Sequence, residues 1–424
     1  MPNILAKTND FLREALMHPE LCDIRETAAR FEDEMEAGLR GAPSSLRMIP
    51  TYIGANGEPP EDTPVIAIDA GGTNLRVGLV RFHGGVPQVS RVSRCAMPGS
   101  RGEISADEFF EKLAESVFPL TEESDNIGFC FSYPAEIFPN KDGKILCLTK
   151  EVKVKNLSGM VLGASLIEKL REMGLAKPLK FTLLNDTAAS LMGGLACLPL
   201  QSRDGLAGLI LGTGCNSCYL ERGEKILKLS NAADMIVNCE SGNFSGVLRG
   251  KSDIMTDEAS DNPGKYWMEK MLAGVYHGKV ITNTALLAAR EGLLTETFAD
   301  TALPPFQPPE MDEFLLGNGR IAKMCAGDDA VVLREIIDKS YERAARLVCS
   351  KIAALCLHCN GGKSAETPFY VVAEGSAFHA SLLFKGKLEQ CLENEFLRGM
   401  NRHAVCVSAE NATLAGAALA ALVG

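Results

Sequence analysis

Basic residues are scarce relative to acidic ones: 43 Lys plus Arg stand against 54 Asp plus Glu, a net charge of -11. A balance of that sign repels nucleic acid and anionic membrane surfaces unless a local basic patch overrides it, and the sequence has no such patch. Long apolar runs are also missing. The longest, Ala412 to Gly424, is 13 residues, against the roughly 20 needed to cross a bilayer. From Met1 to Asp23 charges are scattered among the apolar residues. That pattern predicts a short amphipathic helix rather than a signal peptide.

Several nucleotide-binding signatures are absent. A P-loop needs a glycine five residues before Gly-Lys-Ser/Thr, but Gly250-Lys251-Ser252 and Gly362-Lys363-Ser364 have Ser245 and Leu357 at that place. No Gly-x-Gly-x-x-Gly follows a strand-like run, and the His-Arg-Asp and Asp-Phe-Gly pieces of protein kinases are missing. Cysteine, in contrast, is plentiful, with 14 spread from Cys22 to Cys406, mostly inside apolar runs. That distribution predicts reduced core thiols and a cytoplasmic protein. Cys215/Cys218 and Cys356/Cys359 have metal-ligand spacing, but zinc motifs pair their halves at short range and these pairs are far apart.

At 424 residues, 46% hydrophobic and 23% charged, the chain exceeds the roughly 250 to 300 residues at which single cores stop growing, so two domains are expected. Apolar residues at helical spacing mark the segment up to Arg40. At Val65 the pattern becomes a buried strand, a turn Ala70-Gly71-Gly72-Thr73-Asn74 and a second strand to Phe82. The device returns as Gly208 to Leu211, Gly212-Thr213-Gly214-Cys215-Asn216 and Ser217 to Glu221. Strands and helices alternate between and beyond the two, which predicts an α/β fold with two related lobes around a cleft.

Glycine turns expose backbone N–H groups to an anion and admit its close approach, so Gly71-Gly72-Thr73-Asn74 and Gly212-Thr213-Gly214 are candidate phosphate cradles, each with a Thr hydroxyl. Asp69, beside the first turn, either holds Mg²⁺, directly or through water, or caps the turn. Asn185-Asp186 ends the apolar strand Phe181 to Leu184 and opens a helix. The pair is either a helix N-cap or a polar pair facing the crevice at the carboxyl end of a strand.

The stretch Ala67-Ile68-Asp69-Ala70-Gly71-Gly72-Thr73-Asn74-Leu75-Arg76 resembles the first phosphate motif of the hexokinase family. Further matches follow in the family's order. Phe129 to Pro134 and Leu148-Thr149-Lys150 resemble its sugar loops, and Leu184-Asn185-Asp186-Thr187 its catalytic-base motif. Gly212-Thr213-Gly214-Cys215-Asn216 resembles its second phosphate motif. Asn238-Cys239-Glu240 and Asn262-Pro263-Gly264 through Glu269 resemble its remaining sugar contacts, and Ala373-Glu374-Gly375-Ser376 its adenosine motif. The chain departs from the pattern at Leu148, Glu151 and Val152, at Lys265 and Tyr266 in place of two glutamines, at Glu374, and at Glu410-Asn411-Ala412-Thr413.

The resemblance implies a two-lobed actin-like ATPase fold with ribonuclease-H-like duplicated domains. It places a small domain at 64–186, a large domain at 187–410 with 1–63 as its N-terminal helical part, and a C-terminal helix, 411–424, returning to the small domain. It implies an ATP-dependent kinase acting on the 6-hydroxyl of a hexose, glucose first, with Mg²⁺ near Asp69, no nucleic acid or membrane partner, and a monomer or homodimer. Catalysis falls to Asp186 as base and to Lys150. Ser132, Thr149, Lys150, Asn185, Asp186, Asn216, Glu240 and Glu269 match the hexose positions. Asp69, Gly71, Gly72, Thr73, Asn74, Arg76, Gly212, Thr213, Gly214, Gly375 and Ser376 match the ATP positions. The alternatives are another hexose (mannose, fructose or an amino sugar) and a silent sugar sensor of the same fold.

Overall fold

The computed structural model describes residues 2–55, 57–72, 74–148, 152–198 and 203–423. Strand Val65–Ala70 is buried along its whole length, as its unbroken apolar run requires. It pairs antiparallel with Asn74–His83, so that Ala70 faces Leu75 across the glycine turn. On its other side it pairs parallel with Asn126–Phe131, which pairs parallel with Lys180–Leu184. Val86–Ala96 completes this five-stranded sheet at the far edge.

The second sheet repeats the plan. Leu206–Leu211 pairs antiparallel with Cys215–Glu221, which pairs antiparallel with Met235–Asn238. On the opposite side Phe369–Glu374 and Ala404–Val407 follow in parallel, and a two-residue strand, Ile49–Pro50, extends the outer edge. Three antiparallel strands followed by two parallel ones occur in the same order twice, so the duplicated hairpin read from the sequence is part of a larger repeat.

The helix Asp186–Cys197 packs on the second sheet and the helix Ala412–Val423 on the first, and the two helices pack on each other. One cluster of buried residues accordingly takes members from both sheets, including Val65, Ala67 and Cys130 from one and Leu206, Cys218 and Val372 from the other. The apolar C-terminal run is thus the filling between two sheets. The helices Ile24–Leu39 and Pro2–Glu14 lie against the 30-residue helix Asp329–His358.

The structure adds elements that the pattern did not announce. The polar stretch 140–155 contains the strand Gly143–Ile145, paired with Ala135–Ile137. Asp142 explains its order: the carboxylate accepts from the N–H groups of Gly143, Gly163 and Ala164, and so caps the helix Leu162–Glu172, whose own N-cap, Val161, has no side chain to do so. His358, inside the Cys356/Cys359 pair, hydrogen-bonds through Nε2 to Glu221 at 2.5 Å.

Candidate active site

A cleft of about 940 Å³ lies where the ends of the two hairpins converge. Of the residues singled out in the sequence, Asp69, Gly72, Arg76, Ser132, Asn185, Asp186, Asn216, Glu240 and Glu269 line it, together with Gly212, Thr213, Gly214, Gly375 and Ser376. Gly71 and Asn74 line an adjoining hollow with Asp69, Gly72 and Arg76. Thr73, Thr149, Lys150 and Glu151 lie outside the described residues.

Asp186 sits at the first turn of its helix. Asn185 is the N-cap, its side chain accepting from Ala188 N–H at 3.0 Å. The two readings of this pair are therefore compatible: Asn185 caps, and Asp186 lines the cleft. Asn185 Nδ2 and Thr187 Oγ1 donate to Asp186 Oδ1 at 3.1 and 3.2 Å, which fixes the carboxylate while Oδ2 has no hydrogen-bond partner among the described residues.

Opposite, Asn216 Nδ2 donates to Asn238 Oδ1 at 2.8 Å, and Asn238 Nδ2 donates to Glu240 Oε1 at 2.8 Å. Glu240 holds a left-handed backbone, φ 55°, a conformation non-glycine residues seldom adopt. Burial raises its pKa, against the pull of the Asn238 hydrogen bond and the Arg47 charge. Glu269 Oε2 accepts from Cys215 N–H at 3.0 Å. A Cβ on Gly214 would sit 2.8 Å from that oxygen, so a side chain here would push the Glu269 carboxylate from its place.

The two turns are closed by backbone bonds, Gly71 N–H to Asn74 O at 3.0 Å and Gly212 N–H to Gly214 O at 2.9 Å. The Tyr133 hydroxyl clamps the first, donating to Gly71 O at 2.9 Å. Gly375, with φ 112°, comes so near the second that a Cβ would lie 2.3 Å from Leu211 O. That approach brings the proposed adenosine turn against the phosphate turn.

Among the described residues Asp69 does not cap the turn: its Oδ2 is taken by Arg76 and Thr413 rather than by the turn's backbone. A carboxylate so engaged fits a hydrated Mg²⁺ held through water better than a directly bound ion. Sequence reasoning passed over Thr413 and Asn411, which contact Arg76, and Tyr276, which lines the cleft. The departure at Glu410 to Thr413 was the available signal.

Hexokinase family models match residues 206–423 and 10–195. This chain belongs to the hexokinase family. Hexokinase-1 of Schizosaccharomyces pombe is 27% identical over 422 residues, covering 92% of this chain and 85% of that protein. Mouse hexokinase-3 is 30% identical over 353 residues, covering 77% of this chain but 38% of the much longer relative. A solved hexokinase from Schistosoma mansoni, complexed with glucose, superposes with a TM-score of 0.79 at 22% identity over 99% of both chains. The fold is therefore the two-lobed actin-like ATPase fold of hexokinases, and the chain is a phosphotransferase of hexose-kinase type, a class that uses ATP. No helix among the described residues is long and apolar enough to cross a membrane.

Proposed function

We propose that this hexokinase transfers the γ-phosphoryl group of ATP to the 6-hydroxyl of glucose, in the cytoplasm, with Asp186 as general base. The observation that carries this reading is that Asp186, fixed through one oxygen, lines the same cleft as Asn216, Glu240, Glu269 and both glycine turns.

Phosphoryl transfer asks the protein mainly for positioning and electrostatics. Asn185, Asn216, Glu240 and Glu269, with Ser132, Thr149 and Lys150, hold the pyranose, whose hydroxyls each donate and accept a hydrogen bond. Asp186 takes the proton of the terminal hydroxyl, help worth about 10² to 10⁴ in rate. The turns Gly71-Gly72-Thr73-Asn74 and Gly212-Thr213-Gly214 hold the phosphates through N–H groups other than those of Gly71 and Gly212, which close the turns, and Gly375 and Ser376 border the adenosine. Asp69 would hold Mg²⁺ through water, where the ion would supply positive charge beside the phosphates. Closure of a small lobe, 64–186 with 411–424, on the remainder excludes water as a competing acceptor.

A second reading, another hexose as preferred substrate, is favoured by one feature. Tyr266, with φ 55°, lines the cleft where the family motif has glutamine. ADP release with Mg-ATP across glucose, mannose, fructose and glucosamine, beside Asp186→Asn, tests both. Turnover highest with glucose and lost in the variant is expected. A higher kcat/KM for another hexose would replace glucose, and sugar binding without turnover would leave a sensor.

A further inference from the structure

Beneath the second glycine turn lies a pair that the phosphotransfer mechanism does not use. Lys351 is wholly buried in the helix Asp329–His358. Among the described residues no carboxylate pairs with it, which is unusual for a buried ammonium. Its Nζ instead lies 2.8 Å from Cys215 Sγ and 3.2 Å from Ser241 Oγ. Cys215 is 4% exposed, and what remains open faces the cleft. A small polar reagent entering the cleft therefore reaches the wall formed by Cys215, whose sulfur already has an amine in contact.

We propose that Cys215 and Lys351 form a peroxide-responsive modification site, in which a hydroperoxide joins Sγ to Nζ by a reversible S–N bond. Burial favours the neutral Cys215 thiol, so its proton first passes to Lys351 Nζ at 2.8 Å. The sulfur then attacks the distal peroxide oxygen and the O–O bond breaks. Sulfur is oxidised by two electrons to sulfenic acid, and the peroxide is reduced. The departing hydroxide or alkoxide takes a proton from the Lys351 ammonium and leaves as water or alcohol. The neutral amine then attacks the sulfenic sulfur. An S–N bond forms, the S–O bond breaks, and a second water leaves. A thiol reverses the step, displacing the amine through a mixed disulfide and a second thiol exchange.

The bond contracts the 2.8 Å contact at Cys215, the residue whose N–H Glu269 Oε2 accepts at 3.0 Å, and so perturbs the support of Glu269. Its effect on turnover rests on the proposed function, since Glu269 is assigned there to the sugar. The bond itself does not depend on that assignment.

The test treats the full chain with hydrogen peroxide and follows intact mass, peptide map and ADP release together. Expected are a loss of about 2 Da, the mass of two hydrogens, a linked peptide containing Cys215 and Lys351, and turnover down about tenfold, all restored by dithiothreitol. Cys215→Ser removes the link and the sensitivity. Lys351→Met leaves a sulfenic acid that dimedone traps, and if that variant does not fold, Cys215→Ser carries the comparison. Oxygen added at Cys215 without a link, a disulfide from Cys215 to Cys218 or Cys239, or no change in mass would overturn the site. A link that leaves turnover intact would overturn its coupling to the sugar. A chain inactive before peroxide would count against the kinase reading, and its mass would still decide the bond.

Discussion

Arg76 grips one oxygen of Asp69 twice, from Nε at 3.0 Å and from Nη2 at 2.5 Å. The two residues face each other across the first hairpin. Nη2 also donates to Thr413 Oγ1 at 2.9 Å, and Nη1 to Asn411 Oδ1 at 3.3 Å. Thr413 in turn donates to Asp69 Oδ2 at 3.0 Å. The first glycine turn is thereby tied to the start of the C-terminal helix by one shared charge network, built from the residues where this chain departs from its family's late motif.

Removing the cation tests that tie. Charge-assisted hydrogen bonds of this kind are worth about 1.5–3 kcal/mol, so Arg76→Met is expected to lower kcat/KM for ATP by about 10- to 100-fold. The KM for the hexose should barely change, because the network touches none of the proposed sugar residues. Thr413→Val should cost less, since Arg76 still holds Asp69. Steady-state kinetics with each substrate varied in turn separates the cases, and an equal loss for both substrates would contradict the assignment.

The amide relay Asn216, Asn238, Glu240 predicts a pH effect. Burial raises the Glu240 pKa, so the folded chain holds that proton more tightly than the unfolded chain does. The stability this contributes is present at low pH and lost as pH rises through the raised value. Sugar binding has the opposite dependence, because the acceptor is the ionised form. The hexose KM should therefore rise as pH falls through the raised Glu240 value, and Glu240→Gln should flatten that limb. Asn238→Leu, which removes the donor at 2.8 Å, should raise the hexose KM about tenfold while kcat changes less.

Both hairpins were legible because a buried strand leaves an unbroken apolar run and its turn needs glycine. Val86–Ala96 was not legible, since it is a mostly exposed edge strand, so no alternating burial marks it. Ala404–Val407 is a four-residue edge strand, too short for periodicity to register. Asp186 was legible from its place after an apolar strand. The left-handed backbone of Glu240 and Tyr266 leaves no trace in residue type, since it is imposed by packing around the cleft. Lys351 had a weak signal, one cation within the run from Leu347 to Leu357, apolar but for Ser350, but its thiol partner is 136 positions away.

His277 makes a stability prediction remote from catalysis. Its ring is buried edge-on against Tyr341, 4.7 Å between centroids, and burial lowers its pKa from 6.5 to about 4. The unfolded chain thus binds this proton more tightly. The contribution is complete above pH 6.5 and is lost as pH falls toward 4. Urea unfolding at neutral pH and near pH 4.5 should show a larger acid loss in the natural chain than in His277→Gln, by on the order of 3 kcal/mol. Parallel losses in the two chains would mean that the ring is not held neutral.

The packing of the two central helices can be tested by a single methyl group. A Cβ on Gly416 would lie 1.9 Å from Ala189 O, and one on Gly193 would lie 2.1 Å from Ala412 O. The helices therefore touch backbone to backbone, and neither carbonyl can step aside without moving its helix. Gly416→Ala should destabilise by about 1–3 kcal/mol or more. It should also weaken ATP use, because Thr413 begins the same helix and would be displaced from Arg76. Gly386→Ala is the matched control: it lies exposed in a helix, with nothing within 4 Å of the added Cβ. There the same change should stabilise by about 0.5–1 kcal/mol. Opposite shifts in thermal midpoint, with the kinetic defect confined to Gly416→Ala, are the expected result. Loss of stability in both variants would mean that a general cost of the added methyl, rather than this contact, sets the outcome.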